Sequence, residues 1–193
     1  MQEEYFESMP WLAVPYDDED RRADLLDLVD ARVIPHLIII DPKSGKIITT
    51  DGRLAVESDS DAKDFPWKPP ALQHPLTGSR LSTSPCFAIL FNSEDIDNAL
   101  LEGIKSMAEE YTALFDEDGP DHPLYFYYDT GSAVESSFRQ NFKLGDQSPL
   151  MLIFSVPDQA KYIWDGEVTV ENARKFIQDY LDGNLEPTPF VKD

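Results

Sequence analysis

The stretch Val33-Ile34-Pro35-His36-Leu37-Ile38-Ile39-Ile40-Asp41 decides the fold of the N-terminal part. A helical pattern leads into it, and a continuous apolar run leads out of it. A proline at the first residue of a strand removes no ladder hydrogen bond, and X-Pro bonds lose most of the trans preference. The stretch therefore predicts a cis Ile34-Pro35 bond that opens a buried strand, Leu37 to Ile40.

The residues on either side complete a small α/β unit. Trp11 to Val14 is predicted as a short buried strand, and Asp17 to Asp20 as the start of a helix, because carboxylates stabilise helix N-termini. A calcium loop is the alternative for those acids, but the alternating ligands and the glycine are missing. Leu25, Leu28, Val29 and Arg32 follow at helical spacing, which predicts an amphipathic helix with Arg32 near its C-terminal end. Pro42 to Gly45 is predicted to turn the chain into a second strand, Lys46 to Thr50.

A boundary is expected near residue 70. Ser58 to Asp64 predicts one or two helical turns, and Lys68-Pro69-Pro70 reads as a stiff linker.

The second half predicts a fuller version of the same architecture. The expected strands are Cys86–Phe91, Leu124–Tyr128, Leu150–Phe154 and Lys161–Trp164. The expected helices are 93–115, 132–142 and a last one that carries Val170 to Leu181 and ends at Gly183. Asn92-Ser93-Glu94-Asp95 is predicted to cap the first helix. Ser148-Pro149 precedes its strand as Ile34-Pro35 does, and we expect it to be cis as well. The order β-α-β-α-β-β-α predicts a thioredoxin-like sheet.

The composition restricts the function. Asp and Glu number 37 against 16 Lys and Arg, for a formal charge of −21. Such a surface repels nucleic acid and anionic lipid, so neither a nucleic acid nor a membrane is an expected partner. The first residues lack signal-peptide features, and one cysteine argues against a disulfide-stapled secreted protein. We therefore expect an intracellular protein.

Several motifs resemble the tryparedoxin/nucleoredoxin family, specifically the C-terminal half of its nucleoredoxin branch. They are Met9-Pro10-Trp11, Ile34-Pro35, Asp64-Phe65-Pro66-Trp67, Ser84-Pro85-Cys86, Ala160-Lys161-Tyr162 and Glu186-Pro187. The resemblance implies an α/β, thioredoxin-like fold: a truncated domain over residues 1–70, a complete redox-inactive domain over 71–187 and a tail over 188–193. The family's Trp-Cys-Pro-Pro-Cys turn is absent, which suggests a fragment, a short isoform or an incomplete gene model.

The resemblance implies a non-catalytic protein-binding module in cytoplasm and nucleus, with partners such as Dishevelled-like proteins of Wnt signalling. The alternative is a protein-disulfide reductase, if an upstream Cys-x-x-Cys segment is missing from this sequence. The truncated domain, with two open sheet edges, is expected to be the less stable half and prone to self-association.

The candidate site residues are the two proline steps, Ile34-Pro35 and Ser148-Pro149. In active thioredoxin-like domains, the residue before this proline offers its backbone to an extended substrate. No catalytic residue is expected, because Cys86 heads an apolar strand and is predicted to be a buried, inert thiol. The three scattered histidines have no zinc-ligand spacing, so we expect no metal and no cofactor.

Overall fold

The computed structural model describes residues 10–29, 35–78, 80–115 and 123–190. Its N-terminal part contains helix α1 (Glu19–Leu28), strands β1 (Ile39–Ile40) and β2 (Ile47–Thr49), and helix α2 (Gly52–Ser58). The predicted hairpin is confirmed, because β1 and β2 pair antiparallel across a turn that ends at Gly45, φ +73°. The predicted start of α1 is also confirmed: Asp18 is its N-cap and accepts a hydrogen bond from the Arg21 amide.

The predicted buried strand Leu37 to Ile40 is wrong: β1 contains only Ile39 and Ile40, and Leu37 and Ile40 are 40% and 43% exposed, because the small two-stranded sheet leaves them open to solvent. Three further predictions for this part are wrong. Residues 11–14 form no strand, and Leu12 is fully exposed; prolines at both ends and the lack of a pairing strand among the described residues leave this run unpaired. Helix α1 buries none of its residues, and Leu28 is 71% exposed, because no described element covers the apolar side of α1.

The third error concerns residues 58–64. The helix there is α2, which ends at Ser58, and turns follow it. The Asp59 carboxylate accepts hydrogen bonds from the amides of Lys63 and Asp64. A side chain that takes up these amides competes with helical backbone bonding, which explains why turns replace a helix.

The rest of the described chain forms a six-stranded mixed sheet. Its elements are β3 (Leu72–Gln73), α3 (Arg80–Thr83), β4 (Cys86–Leu90), α4 (Asn98–Leu114), β5 (Tyr125–Asp129), α5 (Ala133–Asn141), β6 (Leu150–Ser155), β7 (Ala160–Ile163), α6 (Val170–Leu181) and β8 (Thr188–Pro189). The spatial order is β3-β5-β4-β6-β7-β8. Strands β3, β5 and β4 are parallel, and β6, β7 and β8 each pair antiparallel with their predecessor in that order. This mixed sheet with crossover helices confirms the thioredoxin-like α/β fold.

Each face of the sheet carries its own core. Alternate residues of β4 point to opposite faces, so Phe87 and Ile89 pack with α4 and α6, whereas Ala88 and Leu90 lie on the side of α5. Every residue of β4 and β6 is buried, as the continuous apolar runs predict. Helices α4 and α6 approach closely at Gly103, where a Cβ would lie 2.5 Å from a methyl carbon of Val170.

The first long helix starts later than predicted. Asn92 to Asp95 forms a turn closed by a hydrogen bond from the Asp95 amide to the Asn92 carbonyl. The cap of α4 is Asp97, whose carboxylate accepts from the amides of Ala99 and Leu100 at 2.9 and 3.0 Å. Leu114, the last residue of α4, is 76% exposed.

The later helices agree better with the sequence. Ser132 caps α5 and Thr169 caps α6, each accepting a hydrogen bond from the amide three residues on. Gly183, at φ +72°, follows α6, and its amide donates to the Tyr180 carbonyl, so the predicted glycine C-cap is confirmed. Strands β3 and β8 lie at the two edges of the sheet and were not predicted. Of the described helices, none has the length and apolar character to cross a bilayer.

Candidate functional site

The Ser148-Pro149 step opens strand β6 on the edge of the sheet where β4 and β5 end. The peptide bond is cis, which confirms that prediction. The Ser148 hydroxyl accepts a hydrogen bond from the Asn92 amide at 2.8 Å, so it ties the start of β6 to the loop after β4. The prediction of a cis Ile34-Pro35 bond stays a prediction, because Ile34 lies outside the described residues; Pro35 itself is exposed.

The loop after β5 packs against the loop after β4, next to Ser148. The Asp129 carboxylate is fully buried and accepts hydrogen bonds from the amides of Thr130 and Ser132 and from the Ser132 hydroxyl, at 2.8 to 3.0 Å. Gly131 has φ +84°, and a Cβ there would lie 2.8 Å from the Ser93 backbone nitrogen. Only glycine therefore lets the two loops meet. The sequence analysis did not single out Asp129 or Gly131, although Asp-Thr-Gly-Ser after an apolar strand is a turn signal.

A groove of about 430 Å³ runs beside these loops. Side chains from the loops, from α5 and from the segment after it line the groove: Asn92, Ser93, Ser136, Gln140, Lys143 and Asp146. Its lining is mainly polar, with hydroxyl, amide and charged groups that can bond to a peptide backbone. Nothing in the sequence analysis singled out this groove.

A buried ion pair supports one wall of the groove. Glu135 and Arg139 lie one turn apart on α5, with side chains 4% and 10% exposed, and the Arg139 Nε donates to the Glu135 carboxylate. Another guanidinium nitrogen of Arg139 donates to the Gly145 carbonyl, so the pair also holds the segment that leads to Ser148. The i,i+4 spacing of opposite charges was visible in the sequence, but its burial was not.

The single cysteine is remote from this site. Cys86 is fully buried at the first residue of β4, and its sulfur lies 3.4 Å from the Ser84 carbonyl oxygen. Burial raises the pKa of the thiol far above its ordinary value, although the charge of Arg80 opposes the shift. At about 3.3 Å per residue, the five residues of β4 alone place about 16 Å between Cys86 and the loop that follows this strand. The prediction of a buried thiol is confirmed.

The other candidate groups do not form a reactive centre in the described part of the chain. His74 stacks on Tyr128 with ring centroids 4.6 Å apart, and the His36 Nε2 lies 3.2 Å from the Thr50 carbonyl oxygen. The described residues contain no group of three or more histidines, cysteines and carboxylates that could hold a metal ion. The site at Ser148-Pro149 offers hydrogen-bonding groups and a groove, which suit binding.

The chain is similar in sequence to several curated proteins. The chain is 38% identical over 191 residues to nucleoredoxin of Xenopus laevis and 36% identical to nucleoredoxin of Homo sapiens, in each case over 96% of its own length. Tryparedoxin of Trypanosoma brucei brucei is 39% identical over 64 residues, 33% of the chain and 44% of that protein. No protein-family model matches the chain.

Among solved structures, the bb fragment of ERp72 superposes with a TM-score of 0.45 at 12% identity, covering 86% of this chain and 75% of that one. The chain spans 46% of the length of the Xenopus relative and 44% of the human one. The chain is therefore similar to nucleoredoxins along nearly its whole length, and its mixed sheet has the thioredoxin-like topology.

Proposed function

We propose that this chain is a protein-binding module that does not itself turn over disulfides. The observation that carries the proposal is the separation of its thiol from its groove: Cys86 is buried at one end of β4, and Ser148-Pro149 lies at the other. Dithiol exchange needs an exposed thiolate and a second thiol to resolve the mixed disulfide. The loop that faces Ser148 presents Asn92 and Ser93 instead.

The proposed binding face consists of the Ser148-Pro149 step and the groove beside it. An extended segment of a partner would lie along the start of β6 and bond through its backbone, as in strand addition. The proposed partners, from the family resemblance, are Dishevelled-like proteins of Wnt signalling, in cytoplasm and nucleus. The domain organisation that belongs to this proposal is a truncated thioredoxin-like domain up to residue 70, followed by a complete one.

The binding face can be tested with groove-filling substitutions. Ser93→Arg and Gln140→Arg place long side chains into the groove, and Ser137→Arg is the matched control on the same helix as Gln140, outside the groove lining. We expect the first two to weaken binding of a purified Dishevelled protein by about tenfold or more in calorimetry, and the control to leave it unchanged. Equal binding by all three variants would remove this face from the proposal.

The catalytic alternative has its own assay. A protein-disulfide reductase needs a dithiol that these 193 residues do not contain. We expect no insulin-disulfide reduction above background with dithiothreitol or with an NADPH-coupled thioredoxin reductase. Turnover that disappears in Cys86→Ser would make Cys86 catalytic and would reject a purely binding role.

Self-association through the N-terminal part is a further element of the proposal. It is supported by the exposed apolar side chains of α1 and by the two-stranded sheet of β1 and β2. We expect amides of Ile39 and Ile40 to exchange hydrogen much faster than those of Ile89 and Leu90 in dilute protein, and more slowly as the concentration rises. Equal protection in monomeric protein would contradict this expectation.

A further inference from the structure

A second cleft lies between α2 and the segment that enters the sheet. It has a volume of about 800 Å³ and is distinct from the groove at Ser148. Leu54 and Ala55 of α2 form part of one wall, and Trp67, Pro69 and Pro75 form much of the other. Leu54 is 49% exposed, so the cleft presents apolar surface to solvent. An apolar, aromatic- and proline-lined wall of this kind suits an extended peptide.

The aromatic wall is held in place by a carboxylate. The Trp67 indole nitrogen donates to Asp59 at 3.0 Å, and Asp59 also accepts from the amides of Lys63 and Asp64. These hydrogen bonds lower the pKa of Asp59, so it remains an anion and an acceptor. Trp67 has φ +56°, an unfavourable backbone region for a bulky residue. Backbone strain of this kind clusters at active sites and ligand clamps, where the surrounding structure holds it in place.

The edge of the cleft is acidic. Asp51, Glu57 and Asp64 line it, and among the described residues that line the cleft Lys68 is the one cation. Glu57 is partly neutralised by Arg53, with 3.7 Å between the charged groups and both side chains more than half exposed. The acidic excess repels a phosphate or a nucleic acid and attracts Lys and Arg side chains.

We propose that this cleft binds a basic, extended segment of a partner protein, in which Lys or Arg alternates with aliphatic residues or proline. The aliphatic or proline side chains pack on Leu54 and Trp67, and the cations pair with Asp51 and Asp64. This site is independent of the proposed face at Ser148-Pro149, so a partner can occupy either one alone.

The test uses a fluorescein-labelled peptide of about 12 residues that repeats Lys-Leu-Pro-Arg, titrated with the whole chain in fluorescence anisotropy. One control peptide has Ser in place of Leu and Pro at unchanged charge, and another has Glu in place of Lys and Arg. We expect about fivefold weaker binding or more with Leu54→Ser or Asp64→Lys, and with either control peptide. Glu109→Lys, a charge reversal on the exposed side of α4, should change the affinity less than about twofold.

Equal weakening by Asp64→Lys and Glu109→Lys, or equal binding of the Ser peptide, would overturn the proposal in favour of attraction to the overall negative charge. Leu54 and Asp64 are exposed, so we expect both variants to fold, and circular dichroism measures whether they keep the wild-type secondary structure. Amide and indole shift changes in a two-dimensional NMR spectrum locate the peptide directly. Changes at Leu54 and the Trp67 indole support the cleft, and changes confined to residues around Ser148 reject it.

Discussion

Replacing Arg139 should destabilise the protein far more than replacing an arginine in an exposed pair of the same spacing. Arg139→Leu leaves the Glu135 carboxylate, in a side chain only 4% exposed, buried without its cation. Breaking a buried pair by removing one partner costs about 3–5 kcal/mol, because the remaining charge has lost both water and counterion. The Gly145 carbonyl also loses a donor, which adds about 1 kcal/mol.

The chain contains a matched control. Arg53 and Glu57 are also four residues apart on a helix, but both are more than half exposed. Arg53→Leu should cost only about 0.3–0.5 kcal/mol, since water solvates the remaining carboxylate. Urea unfolding followed by circular dichroism gives both free energies of unfolding, and added salt should diminish only the smaller effect.

A double variant separates the charge from the space it fills. Glu135→Leu combined with Arg139→Leu removes both charges and leaves apolar side chains of similar bulk. Such replacements are often neutral or stabilising, so the double variant should recover most of the stability lost in Arg139→Leu. A loss below about 1 kcal/mol for Arg139→Leu, or no recovery in the double variant, would refute the reasoning that the pair is buried and coupled.

Three further predictions follow from individual contacts. Ser148→Ala should cost about 1 kcal/mol by leaving the Asn92 amide without its acceptor, and Ser148→Thr should largely retain the stability; equal urea midpoints for wild type and Ser148→Ala would contradict the bond. Asp97→Ala should lower the free energy of unfolding by about 1 kcal/mol and Asp95→Ala should leave it almost unchanged, because Asp97 is the N-cap of α4. A larger loss for Asp95→Ala in urea unfolding would contradict this cap and favour a helix that starts near Ser93. Burial raises the folded-state pKa of Cys86, so its contribution to stability is complete below about pH 8.5 and falls by about 1.4 kcal/mol per pH unit above it. Cys86→Ala should lack this decrease of the free energy of unfolding with pH. Parallel curves of unfolding free energy against pH for wild type and Cys86→Ala would contradict the raised pKa of the buried thiol.

The sequence alone determined the elements whose signal is local and repeated. Cys86–Leu90 and Leu150–Ser155 are continuous apolar runs, and they are buried throughout. Both ends of helix α6 carry a local signal: Thr169 is its N-cap, and Gly183 follows its last turn. The position of Ser148-Pro149 before a buried strand was sufficient to predict its cis bond. These features need no knowledge of distant contacts.

Only the tertiary structure decided the features that depend on a partner. The apolar run Trp11 to Val14 stays exposed because the described chain supplies no strand beside it, whereas the two residues of β3 form a strand because β5 lies alongside. Burial of the Glu135–Arg139 pair, the meeting of Gly131 with Ser93 and the cleft beside Trp67 arise where distant segments pack together. Local sequence patterns report backbone preference and periodicity, whereas hydrophobic burial and strand pairing are properties of the neighbours that the folded chain brings into contact.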